Sequence, residues 1–281
     1  MKKILTIDGN NLVHRVYWVA NNMKKKSENF HVYMFLNAVK SYTDMYKADK
    51  VICVWDEKPD YRKNKRKELL EEYKGNRDYD SSVHSKNELI KELLQLMGIP
   101  SIYPRDFEAD DTIGIIDGYF YDDEHIIVTV DKALCQLISE DTVVYDPIRK
   151  YEINLDNFIG KLKYDPEDFI KVKALQGDKS DNIPGLKGFG KVKIGKFLDG
   201  IIRLTDEENK IYSRNLKLVT LTKDQDEENY VIKQLKKCSF DSDFTKFISL
   251  CEKYYFKNIV NHDQKWFTTF FEKNRLLDIL S

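Results

Sequence analysis

Short apolar segments that each end in an aspartate recur through the first half of the chain. Three such pairs are residues 4–7 with Asp8, residues 51–55 with Asp56, and residues 126–130 with Asp131. Segments with helical periodicity lie between them, and this alternation predicts an α/β fold with a mostly parallel sheet flanked by helices. Because the carboxyl ends of parallel strands share one edge of a sheet, we expect these aspartates to lie near one another.

Further acidic residues are grouped in two other segments. Glu108, Asp110 and Asp111 lie close together in one, and Asp178 and Asp181 lie in another. Carboxylates gathered at one sheet edge would repel each other unless cations held them together, and hard oxygen ligands suit Mg²⁺ or Mn²⁺. The chemistry expected at such a site is metal-assisted attack on a phosphodiester.

The charge distribution is more informative than the total. The net charge of the 281-residue chain is −1, yet eight basic residues lie between positions 58 and 77 and seven lysines between positions 171 and 196. Basic patches around an acidic centre indicate a protein that binds both a polyanion and metal ions. The four cysteines form no CxxC pair, so zinc is not expected, and no apolar stretch has the length of a membrane span. We therefore expect a cytoplasmic protein with no membrane partner.

Two regions are predicted from the change in pattern along the chain. Strand signals thin out after about Asp156, which predicts an α/β domain over residues 1–155 and a helical region over residues 156–281. The polar, basic segment 57–85 interrupts the alternation. Loops of this length inside a compact domain are usually functional or disordered, and a solvated surface helix is an equally good interpretation.

Five motifs in a fixed order carry a family resemblance. They are DGNNL at 8–12, EYKGNR at 72–77, EADD at 108–111, VTVDK at 128–132 and GDKSDNIPG at 177–185. From residue 1 to about 220 the chain resembles the flap endonuclease/5′–3′ exonuclease family, which is related to the 5′-nuclease domain of bacterial DNA polymerase I. Its size resembles the standalone bacteriophage-type members. The resemblance implies a PIN-like 5′-nuclease fold, a helical arch at about 57–85 and a helix-hairpin-helix at about 176–199.

The resemblance also implies two Mg²⁺ ions, for which Mn²⁺ substitutes. The first-metal group is Asp8, Asp56, Glu108 and Asp110, and the second is Asp110, Asp131 and Asp181, with Asp178 and Asp111 nearby. Two metals about 4 Å apart stabilise the attacking and leaving oxygens of an in-line displacement. An isolated aspartate at a strand end is usually a helix cap or turn residue, but a whole set in the family's order is not explained in that way.

One position departs from the family pattern. The family usually has Asp-x-Asp after this strand, whereas here Asp131 is followed by Lys132 and Ala133, which has no metal ligand. Three explanations remain open: a natural member with a weakened second metal, an engineered inactivating substitution, or another carboxylate that takes its place. We expect weaker occupancy of the second metal and slower cleavage, with DNA binding retained.

The glycine-rich segment 183–191 resembles a helix-hairpin-helix, whose backbone amides approach a phosphate at a helix N-terminus. The predicted DNA contacts in this turn are Gly185, Gly188, Gly190, Lys187, Lys191 and Lys193. In the family such a turn also binds a monovalent cation, often K⁺. The letters nearly spell a P-loop, but Val192 has no hydroxyl for Mg²⁺ and no strand precedes the loop, so ATP binding is rejected.

The segment 57–85 corresponds to the family's arch, through which single-stranded 5′ DNA passes. Lys74 and Arg77 match the family's basic pair beside the scissile phosphate, which implies that they clamp it and offset developing negative charge. Tyr73 is a candidate for stacking on a base. Arg15 is a weaker candidate for a phosphate contact.

The function expected is a Mg²⁺-dependent, structure-specific 5′ nuclease that removes 5′ flaps or 5′ ends from branched DNA, with RNA–DNA hybrids as a further substrate. We expect a monomer, in the host cytoplasm if it is phage-encoded. One alternative is a branched-DNA-binding protein with weak or no cleavage, suggested by Ala133. A second is a small ribonuclease of the same acidic fold, against which the helix-hairpin-helix argues.

Overall fold

The computed structural model describes residues 1–23, 28–56, 65–75 and 80–272. Within these residues the core of the fold is a six-stranded sheet of order β3-β2-β1-β4-β5-β6. The strands are β1 (Lys3–Asp8), β2 (Lys50–Val54), β3 (Ser101–Ile102), β4 (Glu124–Val128), β5 (Thr142–Asp146) and β6 (Tyr151–Ile153). Neighbouring strands are parallel except β6, which runs antiparallel to β5. The prediction of a mostly parallel sheet is confirmed.

The strand order reverses at β1. The chain first builds outward from β1 through β2 to β3 and then returns to place β4 on the other side of β1. Ile7 accordingly pairs with Cys53 on one side and with Val128 on the other. In open parallel sheets, ligands bind in the crevice at the carboxyl ends of the strands where the order reverses. The crevice between β1 and β4 is that place in this fold.

Helices cover both faces of the sheet, in keeping with the continuous burial of the residues of β1, β2 and β4. Those that precede β6 in the chain are α1 (Gly9–Asn21), α2 (Phe30–Tyr46), α3 (Arg66–Leu69), α4 (Asn87–Leu96) and α5 (Ala109–Tyr119). Leu5 and Ile7 of β1 pack on one face with α1, α2 and α4, while Ile4 packs on the other face with α5. A 3₁₀ helix over Lys132–Leu137 follows β4.

The later part of the chain is mainly helical. Its helices are α6 (Phe158–Leu162), α7 (Pro166–Gln176), α8 (Lys191–Leu198), α9 (Asp206–Val219), α10 (Gln225–Lys237), α11 (Phe244–Lys253), α12 (Lys257–Val260) and α13 (Asp263–Phe270). α10 packs against α5, and α11 to α13 join the face covered by α2 and α4. Phe247, Trp266 and Phe270 are buried there and give the closing helices an aromatic core. The division at residue 155 stays a prediction.

A short hairpin joins α7 to α8. It consists of β7 (Gly177–Asp178) and β8 (Ile183–Pro184), which pair antiparallel. Gly177 has a φ of 73°, and a Cβ on Gly185 would lie 2.1 Å from the carbonyl oxygen of Gln176, so side chains are excluded at this crossing. Among the helices that the structure describes, none is both long and apolar enough to span a bilayer.

Candidate active site

The ends of β1 and β4 are joined through one hydroxyl group. Asp8 caps the N-terminus of α1, is 6% exposed, and accepts a hydrogen bond from the backbone N–H of Asn11 at 3.0 Å. Its other oxygen accepts from the Thr129 hydroxyl at 2.9 Å. The Thr129 hydroxyl in turn accepts from the backbone N–H of Asp131 at 3.0 Å. Thr129 therefore holds Asp8 and Asp131 on the two sides of the crevice between β1 and β4.

The C-terminal end of β2 and the N-terminal end of α5 approach Asp8 and Asp131 from the other side of β1. A Cβ on Gly9 would lie 2.8 Å from the ring of Trp55, so the start of α1 lies directly against the end of β2. Asp56 follows Trp55 and accepts a hydrogen bond from the backbone N–H of Ala109 at 2.7 Å. The first turn of α5, which carries Asp110, is thereby tied to the same edge of the sheet.

The carboxylates at this edge repel one another. Burial, together with the charges of Asp56 and Asp131, raises the pKa of Asp8 to about 7. Burial and the charges of Asp131 and Asp8 raise the pKa of Asp110 well above its ordinary value. A divalent cation would relieve both effects, and carboxylate oxygens are the ligands that Mg²⁺ prefers.

The ligand atoms that these residues offer decide whether they fit a divalent ion. The oxygens are hard ligands, and the buried side-chain oxygen of Asn10, two residues after Asp8, has no hydrogen-bond partner in the described structure. The chemistry of the set therefore fits Mg²⁺. In the ranges that the structure describes, no three acidic, cysteine or histidine side chains converge closely enough to hold an ion as they stand.

Glu108, at the start of α5, has cations of the protein beside it. Its carboxylate accepts hydrogen bonds from Lys74 Nζ at 2.6 Å and from the Tyr73 hydroxyl at 2.8 Å, and it lies 3.4 Å from the Arg66 guanidinium. Burial alone would raise the pKa of Glu108, but the charges of Lys74 and Arg66 hold it below its ordinary value. Lys74 Nζ also lies 3.9 Å from the carboxylate of Asp181, so Lys74 links two of the acidic residues.

Asp111 serves a different purpose. It is 1% exposed, and both its oxygens pair with the Arg66 guanidinium. It also accepts from the backbone N–H groups of Thr222 at 2.7 Å and Glu108 at 3.2 Å. Arg66 donates further to the carbonyl of Leu218. Asp111 therefore anchors α3 and the end of α9 to α5, and its position near the second metal stays a prediction.

The family model described as the N-terminal, resolvase-like domain of 5′–3′ exonucleases matches residues 3–170. The chain belongs to the 5′–3′ exonuclease family. The 5′–3′ exonuclease of Mycoplasmopsis pulmonis is 30% identical over 218 residues, which cover 76% of this chain and 72% of that protein. The prediction from the five motifs is confirmed, and this chain is a nuclease.

Solved structures show the same fold. The bacteriophage T5 5′-exonuclease with bound zinc ions has a TM-score of 0.64 and 22% identity, covering 90% of this chain and all of that one. Flap endonuclease-1 from Methanococcus jannaschii has a TM-score of 0.62 and 18% identity, covering 97% of this chain and 93% of that one. The predicted 5′-nuclease fold is confirmed.

Asp178, a predicted neighbour of the second metal, is engaged within its own hairpin. It accepts from the backbone N–H of Ser180 at 2.9 Å and lies 3.4 Å from Lys173 Nζ. Burial would raise the pKa of Asp178, but Ser180 and Lys173 hold it below its ordinary value. The negative charge of Asp178 is therefore already balanced within the protein, unlike that of Asp8.

Three residues predicted to contact DNA lie in different parts of the exonuclease. Tyr73 is 2% exposed and donates its hydroxyl to Glu108, and the stacking of its ring on a base stays a prediction. Arg15 is half-buried and donates to the hydroxyl of Tyr42 at 2.9 Å, and its phosphate contact stays a prediction. Arg77 and residues 57–64 of the predicted arch lie outside the described residues.

The loop between β8 and α8 presents open backbone. A Cβ on Gly188 or Gly190 would meet nothing within 4 Å. Lys187 and Lys191 are exposed beside them. Lys193 instead pairs with Glu208 at 3.1 Å and lies over the ring of Phe189 at 3.8 Å, so its charge is partly offset.

Sequence reasoning missed three residues that position the site. Thr129 stands between the apolar run of β4 and Asp131, and a hydroxyl at that place is the signal that was available. Arg66 lies in a run of basic residues, and the local sequence does not indicate which of these residues is buried. Lys173 was counted only as one lysine of a basic patch, although it pairs with Asp178.

Proposed function

We propose that this exonuclease is a Mg²⁺-dependent, structure-specific 5′ nuclease that cuts DNA at a 5′ flap or a 5′ end of a branched duplex, with RNA–DNA hybrids as a further substrate. The observation that carries the proposal is the set of Asp8, Asp110 and Asp131 around the crevice between β1 and β4, where the pKa of Asp8 and that of Asp110 are both raised. Such a set favours divalent cations, and the zinc-bound T5 5′-exonuclease supports a divalent metal in this fold.

Six carboxylates would hold the metals. They are Asp8, Asp56, Glu108, Asp110, Asp131 and Asp181. A bound divalent ion supplies a hydroxide near neutral pH and stabilises charge on the phosphate oxygens. Lys74 contributes as the neighbouring cation: it is held at the site by Glu108, and its ammonium group would donate to the scissile phosphate when DNA is present.

The hairpin between α7 and α8 would hold the duplex. The open backbone at Gly188 and Gly190 and the exposed Lys187 and Lys191 support contacts with phosphates rather than with bases. Sequence specificity is therefore not expected. A K⁺ ion bound by backbone carbonyls in this turn belongs to the same proposal.

Ala133 affects the rate of cleavage rather than the class to which the protein belongs. Its backbone N–H donates to Asp131 at 2.7 Å, which fixes the orientation of that carboxylate. Relatives such as the Mycoplasmopsis pulmonis protein are named 5′–3′ exonucleases, so the alternative of a branched-DNA-binding protein without cleavage is not favoured. The hairpin supports DNA over the minimal ribonuclease considered above.

The test uses a duplex with a 5′-labelled single-stranded flap. Cleavage is followed in Mg²⁺ and in Mn²⁺, and binding is followed in parallel in Ca²⁺. Cleavage near the branch is the expected result. Tight binding without cleavage in either metal contradicts the proposal.

The variant Ala133→Asp tests the account of the second metal. It restores the carboxylate that the family usually has, so cleavage at low Mg²⁺ should rise by about tenfold with binding unchanged. No gain would show that Ala133 does not limit metal occupancy.

A further inference from the structure

The outer face of α9 carries a basic strip beside α3. Lys210, Ser213, Arg214 and Lys217 follow the spacing i, i+3, i+4, i+7 and so lie on one face of the helix. With Asn209 and Leu69 they line an open groove of about 410 Å³. Lys210 and Lys217 are exposed, and Arg214 is half-buried.

The cations of this strip form no ion pair within the described part of the chain. The acidic residues of α9 stand in its first turn, at 206–208, where they suit the helix dipole. Of these, Glu208 is engaged by Lys193 and by the backbone of Thr205. Arg214 donates to the side-chain oxygen of Asn215, which is neutral. Within the described residues no ion pair joins a carboxylate to Lys210, Arg214 or Lys217.

The opposite face of α9 fixes this strip relative to the site. Asn215 is fully buried and donates to the carbonyls of Ala174 and Pro184, which joins α9 to the hairpin region. Arg66 joins the end of α9 to Glu108 through α3. Leu69, which borders the groove, lies one helical turn beyond Arg66, about 5 Å along the axis. The groove is thus anchored to both the acidic edge and the hairpin.

We propose that this groove binds the phosphodiester backbone of the single-stranded 5′ arm of the DNA substrate. The inference rests on the proposed function and adds a binding site outside the hairpin and the carboxylates. Cations spaced by one helical turn follow a polyanionic strand, and a positively charged groove of this kind is typical of single-strand binding. Leu69 is 41% exposed and faces the groove from the other wall, which suits the sugar or base of an unpaired nucleotide. A duplex keeps its bases stacked inside and would leave Leu69 without a contact.

The test compares two double variants with the same loss of charge. Lys210→Gln with Lys217→Gln removes two cations of the groove. Lys233→Gln with Lys237→Gln removes two exposed lysines of α10, which packs on α5 and β3 away from the groove. Each protein is titrated in Ca²⁺ against a duplex with a long single-stranded 5′ flap, the same duplex with a one-nucleotide flap, and the same duplex without a flap.

The groove variant should bind the long-flap duplex about tenfold more weakly than wild type and show a salt slope lower by about 1.4, since each single-strand phosphate contact contributes about 0.7. Binding to the other two substrates should be unchanged, and the α10 variant should match wild type throughout. Equal losses of affinity for all three substrates would show that the groove binds duplex DNA. Unchanged affinity for all three would show that the groove does not bind DNA. Either result overturns the inference while leaving the nuclease intact, whereas a wild-type protein that binds and cleaves no substrate would overturn the proposed function itself.

Discussion

The acidic edge of the sheet has two halves that differ in how their charge is balanced. At Glu108 and Asp111 the protein supplies its own cations: Lys74 and Arg66 pair with these carboxylates, and the pKa of Glu108 is held low. Around Asp8 and Asp110 the neighbouring charges are mainly other carboxylates, and the pKa of each of these two residues is raised.

The difference separates stability from chemistry. A buried carboxylate paired with arginine fixes one packing of α3, α5 and α9, and removing one partner leaves an uncompensated charge. A carboxylate whose neighbours are also acidic costs stability in the metal-free protein, and that cost is recovered when a cation binds. The pair of Arg66 and Asp111 should therefore respond to substitution by unfolding, whereas Asp8 and Asp110 should respond by loss of activity.

The largest effect is expected from Asp8→Asn. Asparagine is as good an N-cap as aspartate, so α1 and the fold should be kept. Cleavage of a flap duplex in Mg²⁺ should fall by about a thousandfold, equivalent to about 4 kcal/mol of lost transition-state stabilisation. Binding in Ca²⁺ provides the control, and a fall of less than tenfold in rate would place Asp8 outside the metal site.

Asp111→Asn should act on folding instead. It leaves the buried Arg66 guanidinium without its charged partner, so the free energy of unfolding measured in urea should fall by about 3 kcal/mol. The double change Arg66→Met with Asp111→Leu should recover only part of that loss, because it removes both charges but leaves the backbone N–H groups of Thr222 and Glu108 without their acceptor. If the Asp111→Asn variant folds but loses as much cleavage activity as Asp8→Asn, Asp111 also takes part in the chemistry and the two halves do not differ in role.

Lys74→Ala lies at the boundary between the halves. Removing the ammonium group should slow cleavage by about a hundredfold, the magnitude typical of one lost charge-stabilising donor, and weaken binding by less than about threefold. Single-turnover rates and anisotropy titrations measure the two quantities. Equal losses in both would show that Lys74 serves binding only.

Thr129→Val should give the smallest effect. Valine has nearly the same shape but does not donate to Asp8, so about 1 kcal/mol of stability should be lost. Thr6→Val offers a matched control, since the Thr6 hydroxyl bonds to His125 away from the crevice. A reduced rate in the Thr129 variant alone would show that the hydroxyl also orients Asp8; equal rates in both variants would limit it to stability.

Local patterns were sufficient for most of the fold and for the outline of the site. The strands at 4–7 and 51–55 were found because a buried parallel strand is a short apolar run, whatever surrounds it. Asp8, Asp56 and Asp131 followed from the same patterns, since a residue directly after a parallel strand lies at the carboxyl edge of the sheet. The five ordered motifs then identified the family.

Tertiary structure decided which charges are balanced within the protein. Asp110 and Asp111 are adjacent in sequence, but successive residues of a helix point about 100° apart, so Asp110 meets Asp131 and Asp111 meets Arg66. Arg66 is one of several basic residues in its segment, and only the packing of α3 against α9 buries it. The sequence therefore determined where carboxylates gather, whereas long-range packing determined which of them the protein neutralises, because that depends on partners far away along the chain.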